Sequence, residues 1–428
     1  MPKIRHLRWW IIGLVCLGTI TNYLARSTLG VAAPTLLKEL DISTQQYSWI
    51  LGAFQAGYTI AQPICGYVLD VIGLKIGFAL FAVAWSVLTM AHGLAGSWVS
   101  MAWLRGLMGM AEATAIPAGM KTTAEWFPAK ERGLAGGLFN AGTSVGAMLA
   151  PPLVVWAILN YNWQAAFLIT GALGLVWTVL WLWFYQGPDK HPALTDEERT
   201  LITSGQETHL QTGAKPSLKQ ILRQRNFWGI ALPRFLADPA WGTFTFWVPL
   251  YLASVRHWDL KQIAMFAWLP FLAADFGCIV GGPVASFLQR TTGMSLINAR
   301  RCAFTMGAVL MLAPAFIGFA DSAYTAMALI CVGGFAHQML STTVITMASD
   351  LFRRSEVGTV AGLAGTCGWT GQLIFSLMIG ALVSTIGYNP FFVCLGLLDL
   401  VGAVLLWTLV RERKEDAAAA AATPQAAH

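Results

Sequence analysis

Ala124-Glu125-Trp126-Phe127-Pro128-Ala129-Lys130-Glu131-Arg132-Gly133 returns 225 positions later as Ser349-Asp350-Leu351-Phe352-Arg353-Arg354-Ser355-Glu356-Val357-Gly358. The correspondence continues through Gly137-Leu138 onto Gly362-Leu363 and through Gly146 onto Gly371. A match held at one offset is the mark of an internal duplication, so the chain reads as two related halves. In a membrane carrier such a duplication places the substrate site between the halves, near the bilayer midplane.

The composition around the repeat fixes the solvent. Of 428 residues 56% are hydrophobic and 11% charged, against roughly a quarter charged in soluble domains. Crossing the hydrocarbon core takes about 20 apolar residues in a helix. Twelve such stretches are predicted, over residues 9–31, 45–69, 76–95, 98–120, 133–158, 164–185, 227–253, 260–286, 302–320, 323–347, 357–384 and 390–410. The fold expected is an all-α integral membrane protein of twelve transmembrane helices in two pseudo-symmetric six-helix bundles. Its parts are an N-terminal bundle over residues 1–185, a central loop over 186–226, a C-terminal bundle over 227–410 and a tail over 411–428. The apolar run after Lys3, Arg5 and Arg8 is longer than a secretory signal and reads as a retained first helix.

The cations set the orientation. Most of the 27 Lys and Arg lie at the N-terminus and in every second loop, six of them within Gln186 to Asn226, whereas the opposite loops hold Lys38, Arg256 and Lys261. By the positive-inside rule both termini are cytoplasmic, and the net charge of +6 reflects topology rather than affinity for nucleic acid. The seven cysteines are scattered through apolar segments with no CxxC spacing, which implies neither disulfide nor metal. Neither H-E-x-x-H nor G-x-S-x-G is present, so an enzyme is not expected, and without G-x-x-x-x-G-K-[ST] this chain does not itself bind ATP by a P-loop. The Ala-rich tail, Ala417 to Ala422, reads as disordered.

Gly66-Tyr67-Val68-Leu69-Asp70-Val71-Ile72-Gly73-Leu74-Lys75, between the second and third spans, resembles the GxxxDxxGxK loop of the major facilitator superfamily. More narrowly the sequence resembles the anion:cation symporter branch, and within it the bacterial hexuronate transporters. The segments that carry this likeness are Ser43 to Ser48, Glu125 to Arg132, Ala150 to Trp156, Leu232 to Ala237 with Pro239 to Thr243, and Gly333 to Gln338. The resemblance implies proton-driven import of galacturonate and glucuronate, or of another sugar acid such as galactonate or glucarate, across the bacterial inner membrane. It implies no cofactor beyond the proton gradient, and a monomer is expected. It also implies gating roles for Asp70 and Lys75. Relatives of the branch carry an acid before the arginine of the first helix; here Tyr23-Leu24-Ala25-Arg26 has alanine, which implies fewer coupled protons.

The residues make a separate case for an anion, because ionisable groups inside a span are costly and mark function. Arg26, Arg105 and Arg234 lie in apolar helices, against Glu112, Asp238, Asp275 and Asp399. A guanidinium can donate two parallel hydrogen bonds to a carboxylate and stays charged at physiological pH. Arg105 and Glu112, seven residues apart, share a helix face; Glu112 is the expected proton carrier, the alternative being a charge network tying the fourth span to its neighbours. Tyr23, Tyr58, Asn140, Thr143, Trp241, His337, Gln338 and Ser341 are candidate substrate contacts, His337 alternatively a proton relay or a packed neutral imidazole. Arg234 and Asp238, one turn apart, are expected to pair as a structural or gating element. Asp399 in the last span has no expected role. Gly133, Gly136, Gly137, Gly142 and Gly146, with Gly358, Gly362, Gly365, Gly368 and Gly371, are expected to be close-packing surfaces.

Overall fold

The computed structural model describes residues 3–128, 131–204, 218–352 and 354–411, apart from the side chains of Pro63, Asp70, Gly133, Arg354, Ser355 and Gly358. The tail, Lys130 and Arg353 lie outside the described residues, and so does the side chain of Asp70. Helices follow one another through twelve passes. The first three are α1 (Leu7–Glu39), α2 (Thr44–Ile72) and α3 (Leu74–Ala91). The fourth consists of α4 (Trp98–Glu112) and α5 (Ala115–Trp126), and α6 (Arg132–Asn160) and α7 (Trp163–Phe184) complete the first half. Two short helices, α8 (Asp196–Ser204) and α9 (Leu218–Arg223), lie in the long polar segment. The seventh pass runs through α10 (Arg225–Gly242), a π-helical turn (Thr243–Trp247) and α11 (Val248–Ser254). Then come α12 (Leu260–Phe266) with α13 (Leu269–Thr292), and α14 (Leu296–Leu310) with the 3-10 segment Ala313–Phe319. The last three are α15 (Ala323–Leu351), α16 (Arg354–Ile386) and α17 (Asn389–Leu409).

Among the described residues nine helices are long and apolar enough to cross a membrane. Large apolar side chains stand exposed along their flanks, among them Leu80, Val176, Val179 and Trp183, as a surface bathed in lipid requires. The fourth span is not the continuous helix over 98–120 that hydropathy predicts, since α4 stops at Glu112 and the chain turns at Ala113 and Thr114. The seventh keeps Pro239 inside the helix and adjusts at the π-helical turn that follows. Local chemistry sets several starts: Ser43 with Gln46, and Asp259 with Gln262, form capping boxes on α2 and α12. Gly73, at φ 84°, is the single residue between α2 and α3, in a conformation that a side chain would strain.

The chain forms two compact units, described separately here. Unit one comprises Met1–Thr212, Thr243–Leu272 and Ser376–Thr385, and unit two Gly213–Gly242, Ala273–Phe375 and Ile386–His428. In unit one α6 crosses α1 closely: a Cβ on Gly142 would meet the Cys16 carbonyl at 2.7 Å, and one on Gly146 the Ile20 carbonyl at 2.5 Å. In unit two α16 meets α10 in the same way, with Gly371 against the Phe235 carbonyl. Gly136, Gly137 and Gly362 meet nothing within 4 Å, so the small-residue face is shorter than the sequence implies; crossing helices touch over a limited length. Unit one also ties down the π-helical turn, where the Tyr47 hydroxyl donates to the Phe246 carbonyl at 2.9 Å and Trp247 Nε1 to Ser376 Oγ at 3.1 Å.

The central segment is anchored on unit one. His6 precedes α1 in a left-handed conformation and offers no side-chain cap. Glu198 on α8 caps it instead, accepting from the N–H groups of Leu7 (2.9 Å) and Arg8 (3.2 Å). Arg8 completes the cluster, with Nη1 at 2.7 Å from Glu198 and Nε at 2.8 Å from Glu131. Glu125 accepts from the Tyr185 hydroxyl at 3.1 Å, and Lys121 donates to the Leu69 carbonyl at 3.0 Å.

Candidate functional site

The charged centre of unit one is assembled from α1, α2 and α4. Helix α1 supplies Asn22, Tyr23 and Arg26 at helical spacing, α2 supplies Phe54, Gln55 and Tyr58, and α4 supplies Arg105 and, as its last residue, Glu112. Arg26 is 4% exposed; its Nε donates to Glu112 Oε2 at 2.8 Å and its Nη2 to Asn22 Oδ1 at 3.3 Å. Three rings enclose the guanidinium, with centroids 4.1 Å (Tyr23), 4.9 Å (Tyr58) and 5.3 Å (Phe54) from its Cζ. In a desolvated site each such contact is worth up to about 2 kcal/mol, which offsets part of the cost of burying the charge.

The pairing differs from the one the spacing implies. Glu112 is bonded to Arg26 across the bundle, not to Arg105 on its own helix. Arg105, fully buried, donates through Nη2 to the Arg26 backbone carbonyl at 2.6 Å, lies 3.2 Å from the Met108 sulfur through Nη1, and stands 5.1 Å from the Phe54 ring. Seven residues separate Arg105 and Glu112 by about 10 Å along the helix axis, and Arg26 of α1 meets both, its Nε bonding Glu112 and its backbone carbonyl accepting from Arg105. The centre thus holds two guanidinium groups and one carboxylate, which is bonded to Arg26 alone. Arg105 Nε, Glu112 Oε1, Asn22 Nδ2 and both amide atoms of Gln55 are buried with no hydrogen-bond partner among the described residues. Orphaned polar atoms cost about 1–3 kcal/mol each, and here they concentrate around an excess cation.

Asn140 and Thr143, also expected to contact substrate, lie on α6, the first exposed and the second buried one residue from Gly142, which packs on α1. Trp181 Nε1 donates to the backbone carbonyl of Lys75 at 2.9 Å.

The second half has a different centre, contained in unit two. Trp241 is the penultimate residue of α10 and its ring stacks on His337 of α15, with centroids 5.8 Å apart and planes inclined by 26°. His337 is 3% exposed and hydrogen-bonds the Ala237 backbone, its Nδ1 remaining without a partner. Gln338 and Ser341 follow on α15, both half-buried. Arg234 and Asp238 form the expected i,i+4 pair at 3.4 Å, half-shielded at 18% and 19% exposure. The glycines of α16 seat this pair: Asp238 lies in the space that a side chain on Gly368 would take, and Arg234 Nη1 lies 3.8 Å from where a Cβ on Gly365 would stand.

The two centres occupy matching positions. Glu112 and His337 are related by the 225-residue offset of the repeat. Ile20 and Phe235, the carbonyls met by the matched glycines Gly146 and Gly371, set the register of the crossing helices, and six residues beyond them stand Arg26 and Trp241. An ion pair in one half corresponds to an aromatic stack in the other. The sequence reading did not find Asn22, Phe54 and Gln55; their signal was the i−4 spacing of Asn22 to Arg26 and of Phe54 to Tyr58, and a glutamine inside an otherwise apolar stretch.

The family model for the Major Facilitator Superfamily matches residues 15–297 and 294–427. The chain is 54% identical to the hexuronate transporter of Escherichia coli (strain K12) over 96% of both chains. It is also 54% identical to the galacturonate transporter of Dickeya chrysanthemi, over 77% of this chain and 96% of that one. Among solved structures it resembles the inward open conformation of the xylose transporter from E. coli, with a TM-score of 0.73 at 14% identity, covering 95% of this chain and 97% of that one. With its duplicated helical halves, its lipid-facing apolar surface and these matches over nearly the whole length, the chain belongs to the major facilitator superfamily of membrane transporters.

Proposed function

We propose that this chain imports hexuronates such as galacturonate and glucuronate together with protons, by alternating access across the bacterial inner membrane, as a monomer with both termini in the cytoplasm. The observation that carries this reading is the buried excess of positive charge in unit one, two guanidinium groups around one carboxylate with unsatisfied donors beside them. A carboxylate substrate supplies the missing charge, and a planar guanidinium can hold it through two parallel hydrogen bonds. The relatives at 54% identity, named for hexuronate and galacturonate, support the choice of acid.

Coupling follows from competition for Arg26. Ionised Glu112 occupies the guanidinium Nε; a proton on Glu112 removes that claim and leaves Arg26 and Arg105 to the substrate. Substrate and proton then travel together, and loss of the proton inside restores the ion pair and expels the anion. Tyr23, Tyr58, Asn140 and Thr143 serve the sugar hydroxyls from the first half. Trp241 offers an aromatic face to the sugar ring, with His337, Gln338 and Ser341 on α15 as polar partners. Asp70 and Lys75 act at the gate, at the glycine-hinged junction of α2 and α3.

The test is uptake of labelled galacturonate into proteoliposomes of the purified protein, with and without an inward proton gradient, with unlabelled glucuronate and galactonate as competitors. Accumulation that needs the gradient and is blocked by glucuronate is expected. Gradient-driven uptake of galactonate in preference to either hexuronate would move the substrate assignment, and uptake indifferent to the gradient would remove the coupling.

A further inference from the structure

Asp399 lies in the middle of α17, 1% exposed, and neither carboxylate oxygen has a hydrogen-bond partner among the described residues. An ionised carboxylate removed from water with no donor at either oxygen is among the most expensive arrangements a protein interior can hold, whereas a neutral carboxylic acid is tolerable. Among the described residues the elements packed on α17 bring no donor to Asp399. Helix α17 packs on α10, on α14 and on the 3-10 segment Ala313–Phe319. The 3-10 segment carries no titratable group. Helix α14 contributes Cys302, Arg300, which pairs with Asp350 at 3.1 Å, and Arg301, which binds the Val410 carbonyl at the cytoplasmic end. Helix α10 contributes Arg225, bonded to the Thr408 carbonyl, and the Arg234–Asp238 pair; on its own helix Asp399 has only Cys394. The Arg234–Asp238 pair thus lies on the helix that packs against α17, and His337 of α15 stacks on Trp241 of that same helix.

The interface of α10 and α17 therefore holds two carboxyl groups and one guanidinium, and one proton makes the set neutral. Arg234 Nε has no hydrogen-bond partner among the described residues beside the bond of Nη2 to Asp238, and the Asp238 carboxylate is seated against Gly368 of α16. We propose that Asp399 is a second proton-binding group of the transporter, which carries a proton through the cycle and shares Arg234 with Asp238 when the proton leaves. The inference rests on the symport reading above and sets the count at two protons per sugar acid, one on Glu112 and one on Asp399. A monoanion entering with two protons carries one net positive charge inward, so transport becomes electrogenic.

The experiment is galacturonate accumulation in proteoliposomes under a potassium diffusion potential, inside negative, at equal pH on both sides, set beside accumulation under a pH gradient alone. The wild type is expected to respond to the potential, its accumulation ratio rising about tenfold per ~59 mV for one net charge. Asp399→Asn is expected to lose the response to potential, and Asp399→Glu to restore it with an altered pH profile. Wild-type uptake driven by the pH gradient but blind to the potential overturns the second proton and leaves the symport reading standing. A potential response that persists in Asp399→Asn makes Asp399 structural and also overturns the proposal, while no uptake under either gradient removes both readings. Should Asp399→Asn fail to reach the membrane, Asp399→Glu decides, since an unchanged pH profile there excludes the group from proton binding.

Discussion

The two halves of this transporter keep one backbone plan and fill its central positions with opposite chemistry. Where α1 and α4 place Arg26 against Glu112, α10 and α15 place Trp241 against His337, at positions matched by the repeat. The surrounding close packing is shared, with Gly146 and Gly371 each resting on a carbonyl of the crossing helix. Duplication thus conserved the joints while the sites diverged: the first half holds fixed charge in a buried aromatic box, and the second presents a flat ring with a polar edge.

The largest effect is expected at the charged centre. Arg26→Ala leaves Glu112 buried without its partner and takes away the donor for the substrate. Breaking such a buried pair costs about 3–5 kcal/mol, so galacturonate uptake should fall by at least about a hundredfold. Arg26→Lys should recover little, because a point charge cannot offer the planar fork. A lysine variant with near-normal uptake would show that Arg26 supplies charge alone. Glu112→Gln tests the partner: gradient-driven accumulation is expected to disappear and the pH dependence of uptake to flatten, whereas accumulation with unchanged coupling excludes Glu112 as a proton carrier.

Intermediate effects are expected at the shared joints. Gly371→Ala places a methyl group on the Phe235 carbonyl, and Gly146→Ala places one on the Ile20 carbonyl. Overpacking of this kind costs about 1–3 kcal/mol, and both variants should lower the melting temperature of the detergent-solubilised protein by similar amounts. Gly136→Ala, with open space around it, should not. Unequal losses at Gly146 and Gly371 would break the equivalence of the two crossings. Trp241→Ala should come next, raising the galacturonate KM about three- to tenfold if a ring face contributes about 0.5–1.5 kcal/mol, with Trp241→Phe close to wild type. A change in maximal rate without a change in KM would place Trp241 in the conformational cycle rather than at the ring.

Most of the fold was legible because hydropathy and duplication are properties of residues close in sequence. The twelve spans, the two-part repeat and the i,i+4 pair of Arg234 and Asp238 needed no tertiary information. The partner of Glu112 did: helical spacing offered Arg105, but the bond crosses to α1, because the chain turns immediately after Glu112 and Arg105 is engaged by the Arg26 carbonyl. The glycines of α16 were equally ambiguous. Gly371 packs on a backbone, whereas Gly365 and Gly368 make room for side chains, a distinction no glycine carries in its own sequence. Least legible was the cap that Glu198 places on α1, formed between residues 190 and 191 positions apart.

The smallest predicted effect concerns that central segment and sets the corner at Trp126 against its match at Leu351. His191 is buried edge-on to Trp126, with ring centroids 5.7 Å apart. Its Nδ1 accepts from the Ala193 N–H at 3.2 Å, so the ring's other nitrogen, Nε2, donates to the Phe184 carbonyl at 3.1 Å, an arrangement only a neutral ring can make. Burial holds its pKa below the usual imidazole value, with the positive charge of Lys75 adding to the effect. A base whose pKa is lower in the folded state binds fewer protons there than in the unfolded chain. Its packing therefore contributes in full above the ordinary imidazole range and is lost as pH falls through that range toward the lower folded value. Hydrogen exchange, corrected for intrinsic rate, should accelerate at the ends of α5 and α7 between pH 7.5 and pH 5.5, whereas the corner around Leu351, which has no imidazole, should not change. His191→Asn should remove the pH step. A step of equal size at both corners would trace it to the bundle as a whole and not to this one ring.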